Sequence, residues 1–141
     1  MSRIFWDTNL FIYLLEGSGQ NFRHTQRVLD RMTFRKDELM TSTLTLGEIM
    51  AKPLSLGDRE TADRYDRLLK SPGVQVIGFD REAARIFARI RKDRTIKPPD
   101  AIQLSCASTA AANLFITNDE RLSKKLIPGV DFIVPLEHAF L

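Results

Sequence analysis

Apolar runs and amphipathic stretches alternate along the whole chain. Ile4-Phe5-Trp6 follow Arg3 without a polar break and run straight into Asp7-Thr8-Asn9. Such a run reads as a strand covered on both faces, as in a parallel sheet between helices. Asn9–Glu16 predicts a short helix stopped by Gly17 and Gly19. From Asn21 to Lys36, the residues Phe22, Thr25, Val28, Leu29 and Met32 share one helical face, with Arg23, Gln26, Arg27, Asp30 and Arg31 elsewhere. Leu39–Ser42 reads as a second strand. Thr45–Ala51 reads as a helix halted before Pro53, and Leu56-Gly57 as a break. Asp58 is placed to cap a helix that buries Ala62, Tyr65, Leu68 and Leu69 and closes at Ser71-Pro72-Gly73.

The second half repeats the alternation. Val74–Phe79 is the clearest strand after the first, and Asp80 caps a helix whose buried stripe is Ala83, Ile86, Phe87 and Ile90. The next helix starts at Pro99 or Asp100 and runs to about Ala112. Beyond Asp100 it is nearly free of charge and rich in Ala and Ser, so it can approach a sheet closely in the middle of the molecule. Leu114–Thr117 is a third buried strand. Asn118-Asp119 opens a helix carrying Leu122 and Leu126, and Phe132–Val134 gives a last strand before Pro135. Strands alternating with helices predict an α/β fold with a central, mainly parallel sheet in three α/β/α layers.

Length and composition narrow the picture without changing it. A chain of 141 residues predicts one domain, 1–141, large enough to bury a core. Neither disorder nor a membrane span is indicated. The N-terminal apolar run is broken by Asp7-Thr8-Asn9 and lacks a cleavage-site pattern, so a cytoplasmic location is expected. The lone Cys106 excludes an internal disulfide and a multi-cysteine zinc site. Net charge is only +3, but between Arg81 and Lys97 seven basic residues face two acidic ones. That surplus favours an anionic partner.

Four acids fall at strand ends or helix starts: Asp7, Glu48, Asp100 and Asp119. Capping competes as an explanation, because acids favour helix N-termini. Thr45-x-x-Glu48 and Thr117-x-x-Glu120 both match a capping box, and Asp100 follows two prolines as a first-turn acid often does. Asp7 differs. It ends a bulky apolar strand with no basic neighbour in sequence, and an unpaired buried charge is costly, so something positive should compensate it. Carboxylates gathered without a His or Cys pair suit a hard cation, Mg²⁺ or Mn²⁺, rather than zinc. Such ions, alone or as a pair about 3.5–4 Å apart, support in-line displacement at a phosphodiester.

Asp7-Thr8-Asn9, Thr45-x-x-Glu48, Pro99-Asp100-Ala101-Ile102 and Thr117-Asn118-Asp119 occur in the order and rough spacing of the PIN-domain nucleases. More narrowly, the chain resembles the VapC-type ribonuclease toxins of type II toxin–antitoxin pairs, over nearly its whole length. The resemblance implies a PIN-like fold and metal ligation by Asp7, Glu48, Asp100 and Asp119, with Asp119 the most variable contributor. Thr8, Asn9 and Thr117 become supporting polar groups. It also implies an RNA substrate, a homodimer, and a cognate antitoxin that blocks the acidic pocket. No side chain is an obvious general base, so proton removal falls to the metal, with help from Glu48 or Asp119. Two alternatives stand beside this reading. One is a non-catalytic module whose acids dock a basic partner. The other is an α/β phosphoryl-transfer domain, although Asn9 occupies the place where a phosphatase wants its second Asp.

The remaining features carry less. Arg81, Arg85, Arg89 and Lys92 fall on one side of a helix, opposite its apolar stripe. They form either a solvated face or a phosphate track leading RNA towards the acids. His24 and His138 have no ligand-like spacing and are assigned to surface or packing. Phe5 and Trp6 are assigned to the core, and Cys106 to a small buried hydrophobic site.

Overall fold

The computed structural model describes residues 1–139 and Leu141. Its centre is β1 (Arg3–Trp6), whose Ile4, Phe5 and Trp6 are all fully buried. Side chains alternate across a strand, so Ile4 and Trp6 enter one core and Phe5 the other. On one side β1 pairs with β2 (Glu38–Ser42), and on the other with β4 (Leu114–Thr117). Outside these lie β3 (Val74–Ile77) beside β2, and β5 (Phe132–Pro135) beside β4. The order is β3-β2-β1-β4-β5, and every pair is parallel. Phe5 registers with Phe115 of β4, their rings stacked at 5.1 Å and 10°.

Two helical layers cover the sheet. Against Ile4, Trp6, Leu39 and Ile116 pack α1 (Thr8–Glu16), α2 (Gly19–Arg35), α3 (Thr43–Ser55) and α4 (Arg59–Lys70). Over Phe5, Met40, Phe115 and Ile133 lie α5 (Arg81–Ile90) and α6 (Pro98–Thr109). The small residues of α6 bury six of its twelve positions and bring it close to β2. This is the three-layer α/β/α arrangement that the alternation predicts. The chain leaves β1 towards β2 and returns later to place β4 on its opposite side. The carboxyl ends of β1 and β4 therefore flank a topological switch point, where open α/β sheets form their ligand crevice. Among the described residues no helix is long and apolar enough to cross a membrane.

Several expected boundaries move, each for a local reason. Helix α3 does not stop before Pro53. It begins at Thr43, capped by the Ser42 hydroxyl, which accepts from Leu44 N at 3.2 Å, and it ends at Ser55. Pro53 is buried in the final turn, so few intrahelical bonds remain to be lost beyond it. Helix α6 ends at Thr109 rather than near Ala112, because Ala111 turns left-handed at φ 51° and Ala112 N reaches back to Ala107 O at 3.0 Å. The helix expected after Asn118 is only a 3₁₀ turn, Leu122–Lys124. Lys125 leaves in extended conformation, and Ile127 takes the buried place while Leu126 stays 94% exposed. Strand β3 stops at Ile77, and Phe79 packs edge-on against Phe87 at 5.7 Å instead. Phe5, Trp6 and Cys106 are buried as expected, and burial pushes the Cys106 thiol up to about 11.

Candidate active site

Asp7 stands where β1 passes into α1, and its carboxylate does two jobs there. Oδ1 accepts from Thr8 N at 2.9 Å, which caps α1 and starts that helix one residue earlier than expected. Oδ2 accepts from the Thr117 hydroxyl at 2.9 Å, tying the ends of β1 and β4 together. Gln103 Nε2 approaches Oδ1 at 3.4 Å from α6. No basic side chain pairs with Asp7 among the described residues; neutral donors take the place of the compensating cation.

Beneath Asp7 lies a buried polar scaffold. The Gln103 amide donates to Thr45 Oγ1 at 2.7 Å and to Thr8 Oγ1 at 3.0 Å, while its carbonyl oxygen accepts from Ser42. The Thr41 hydroxyl donates to the Trp6 carbonyl at 2.9 Å and lies 2.8 Å from Thr45 Oγ1. Thr8 in turn donates to Glu48 Oε1 at 2.6 Å. Hence Thr45 and Glu48 do not form a capping box. The cap is Ser42, Thr45 faces the scaffold, and Glu48 is held from the strand β1 side by Thr8. Satisfied networks of this kind in a low-dielectric interior rigidify what they surround. Gln103 and Thr45 are the buried centre of this scaffold, and the charged motifs do not reveal them. The sequence marks Gln103 only as an amide three residues after Asp100 in a helix otherwise made of small and apolar residues, with nothing to say what it bonds.

The four acids line one continuous depression at the switch point. A hollow of about 410 Å³ has Asp7, Asn9, Asp100, Thr117 and Asp119 in its wall. An adjoining hollow of about 260 Å³ has Asp7, Asn9 and Asp100 again, now with Thr8 and Glu48. Asp7 and Asp100 are thus common to both, with Asp119 on one side and Glu48 on the other. Asp119 begins no helix. Its Oδ1 accepts from Arg121 N at 2.9 Å and lies 3.5 Å from Arg121 Nε, and its own N–H donates to Thr117 Oγ1 at 3.1 Å.

The electrostatics reflect this crowding. Burial, then the charges of Asp7 and Asp119, push Asp100 up to about 6, with Lys97 opposing and Glu48 adding. Asp7 is also raised, chiefly by burial, against the hydrogen bonds from Thr117 and Thr8. Among the described residues no donor reaches the Asp100 carboxylate. The donor set is all hard oxygen, carries like charge and is open to solvent on one side, which fits a divalent cation such as Mg²⁺ or Mn²⁺. No three of these acids bring ligand atoms within 4.8 Å of one another, so the cup is wide. A wide cup suits an ion that takes one or two carboxylates and keeps water for the rest of its shell. The group that does reach that closeness is Glu120, Glu137 and His138, all exposed, of which Glu120 also lines the larger acidic hollow. His138 is at the surface, as expected, with Nε2 3.6 Å from Glu137.

Comparison with known proteins agrees with this geometry. The family model of the PIN domain matches residues 4–126. The chain belongs to the PIN-domain family. Solved structures share its fold at low identity. VapBC2 from Rickettsia felis, bound to a DNA fragment from its promoter, matches with TM-score 0.75 and 15% identity, over 94% of this chain and 98% of the other. DNA-bound VapBC from Salmonella typhimurium matches with TM-score 0.74 and 20% identity, over 96% and 99%. A toxin–antitoxin complex from Klebsiella pneumoniae matches with TM-score 0.67 and 23% identity, over 90% and 94%. A search among curated proteins returns no match.

In this PIN domain the basic stripe of α5 lies apart from the acids. Arg85, Arg89 and Lys92 line a separate, mostly apolar cleft of about 690 Å³ with Ile86 and Ile127, and Arg81 is exposed at the first turn of α5. The cleft shares no residue with either acidic hollow. Basic residues nearer the acids are Lys97, Arg121, Lys124 and Lys125, which border a third hollow containing Asp100 and Asp119. His24 is half-buried on α2, its Nδ1 3.1 Å from Arg27.

Proposed function

We propose that this chain is a divalent-metal-dependent endoribonuclease, a single nuclease domain over residues 1–141, and the toxin of a type II toxin–antitoxin pair. The observation that carries the reading is the shared wall of Asp7 and Asp100 at the β1/β4 switch point, charged alike and with no basic residue paired to Asp7. Asp7, Glu48, Asp100 and Asp119 would hold Mg²⁺ or Mn²⁺. The ion supplies charge opposite a phosphodiester and lowers the pKa of water. Asp7 is fixed by Thr8 N, Thr117 and Gln103, so its oxygens need no reorganisation on loading. Thr8 orients Glu48. Asp100, raised by burial and by the like charges around it, is the acid whose charge a bound cation would relieve most. Asn9 lines both hollows and is placed to hydrogen-bond substrate.

A cognate antitoxin that covers the cup follows from the resemblance and is supported by the toxin–antitoxin structural neighbours, while a second copy of the chain in a homodimer follows from the resemblance alone. The location is cytoplasmic. The deciding experiment incubates the purified protein with structured and unstructured RNAs, with Mg²⁺, Mn²⁺ or a chelator, beside Asp7→Asn. Cleavage that needs the ion and is lost in the variant is the expected result. Chelator-insensitive cleavage, or equal turnover by Asp7→Asn, would overturn the reading. Ion binding without cleavage of any RNA would favour the non-catalytic module.

A further inference from the structure

The hollow next to the cup has a composition that neither the acids nor α5 explains. It measures about 400 Å³, and Asp100, Asp119 and Arg121 belong both to it and to the larger acidic hollow. Its floor includes Ile96 and Leu122, buried side chains that expose only an apolar face here. Its rim is basic: Lys97 and Lys124 are exposed, and Arg121 projects with 83% of its side chain accessible. At the far end Lys125 Nζ donates to Asp93 and to Thr95, both at 2.8 Å. Those bonds, with the turn bonds of Thr95, hold Asp93 well below the usual carboxylate range, at about 2. That clasp separates the trough from the larger cleft under α5, with which it shares only Ile96 and Lys125.

We propose that this trough is a nucleotide subsite: it takes one unpaired RNA nucleotide flanking the scissile bond. The base lies on Ile96 and Leu122, and the phosphate is held by Lys97, Arg121 and Lys124. The inference rests on the nuclease reading and deepens it by naming where the strand leaves the cup. Three features carry it together. The volume lies at the small end of ligand sites, about 300–1,000 Å³, which limits the occupant to one nucleotide. Apolar floor and cationic rim match the two parts of a nucleotide, a base with a π-face and an anionic backbone. The Lys125–Asp93 clasp neutralises the far wall, so the backbone has no cationic path onwards to Arg85, Arg89 and Lys92. A base paired in a duplex cannot reach the floor, so the subsite selects single strands.

The test uses the full chain carrying Asp7→Asn, to prevent turnover, and a fluorescent unpaired RNA decamer titrated over a range of salt. Lys97→Gln with Lys124→Gln is expected to weaken binding and to lower the slope of log K against log salt by up to about 0.7, the contribution of the one phosphate charge no longer neutralised. Arg85→Gln with Arg89→Gln is expected to leave both unchanged. Mn²⁺ affinity, measured separately in the Lys97/Lys124 variant, is expected to stay within about threefold, which places the effect in the trough rather than the cup. An unaltered slope in the Lys97/Lys124 variant, or weakening confined to the Arg85/Arg89 variant, overturns the subsite while leaving the nuclease reading intact. Equal affinity for a duplex of the same sequence also overturns it. Failure of the unsubstituted chain to bind or cleave any RNA removes the nuclease reading first, and the subsite with it.

Discussion

Two groups of acids in this molecule look alike by composition and differ in construction. In the cup, Asp7, Glu48, Asp100 and Asp119 come from four elements far apart in sequence, and a buried scaffold of Gln103, Thr8 and Thr45 fixes two of them. Beside it, Glu120, Glu137 and His138 are all exposed and lie closer together than the cup acids do, with Glu120 reaching the wall of the larger acidic hollow. There, Glu120 is raised mainly by the hydrogen bond its protonated form donates to Glu137, and His138 Nε2 sits 3.6 Å from Glu137. The members of this group are exposed and meet one another directly, whereas in the cup Asp7 and Glu48 are held by neutral donors and Asp119 leans on Arg121. Acid density alone does not make a site. A carboxylate whose position is enforced by something other than a cation is the better mark.

That contrast can be broken experimentally. The largest effect is expected from Asp7→Asn: RNA cleavage should fall by about 10²-fold or more. Metal-free thermal stability should be unchanged or higher, because Asn can still cap Thr8 N while repulsion with Glu48 is lost. Parallel cleavage and melting measurements check this, and a large drop in melting temperature would mean that Asp7 is structural. Next comes Gln103→Leu, which leaves the Ser42 hydroxyl and its threonine neighbours short of a partner. Urea unfolding should show a loss of about 1–3 kcal/mol, with reduced cleavage per folded molecule as Glu48 and Thr8 lose their register.

A smaller and signed effect concerns pH. Asp100 has a folded pKa near 6 against an ordinary 3.8, so the native state holds its proton more tightly than the unfolded chain does. Its stabilising contribution is complete below about 3.8 and is lost as pH rises to about 6. Asp7, raised as well, acts in the same direction. In chelator, unfolding midpoints should therefore decline between pH 4 and 6, and Asp100→Asn should flatten the decline. A midpoint that rises steadily over that window in the unsubstituted protein would contradict the crowding of the cup. Least of all should come from the exposed group: Glu137→Gln, at a position that lines neither acidic hollow, is expected to shift stability by no more than about 0.5 kcal/mol and to leave cleavage within twofold.

Much of this was legible in the sequence where a local rule and the fold agree. Ile4-Phe5-Trp6 running into Asp7 marked both the central strand and the end of it that opens on the acidic hollow. Asp58 and Asp80 cap α4 and α5 as their positions implied, accepting from Thr61 N at 3.1 Å and Ala83 N at 2.9 Å. Thr45-x-x-Glu48 misled for a definable reason. A capping box reports spacing but not where the helix begins, and Ser42 starts α3 earlier, which turns Thr45 inward. Leu122 and Leu126 share helical spacing, yet the segment between β4 and β5 leaves room for one short turn and a single anchor. The stripe from Arg81 to Lys92 was visible, but which hollow it borders depends on how α5 lies against the loop at Ile127, and no local pattern encodes that. Gln103 was hidden because its role exists only once four strands and helices converge on it.

The neutral fastening of Asp7 has a consequence for how the cup fills. With a peptide N–H, a hydroxyl and an amide as its partners, Asp7 has no ammonium or guanidinium to shed when a cation arrives. Among the described residues, the one basic neighbour in the acidic hollows is Arg121, and it leans on Asp119 at the outer lip. Ions can therefore enter, leave and exchange without any internal bridge being broken, and the vessel keeps one shape throughout.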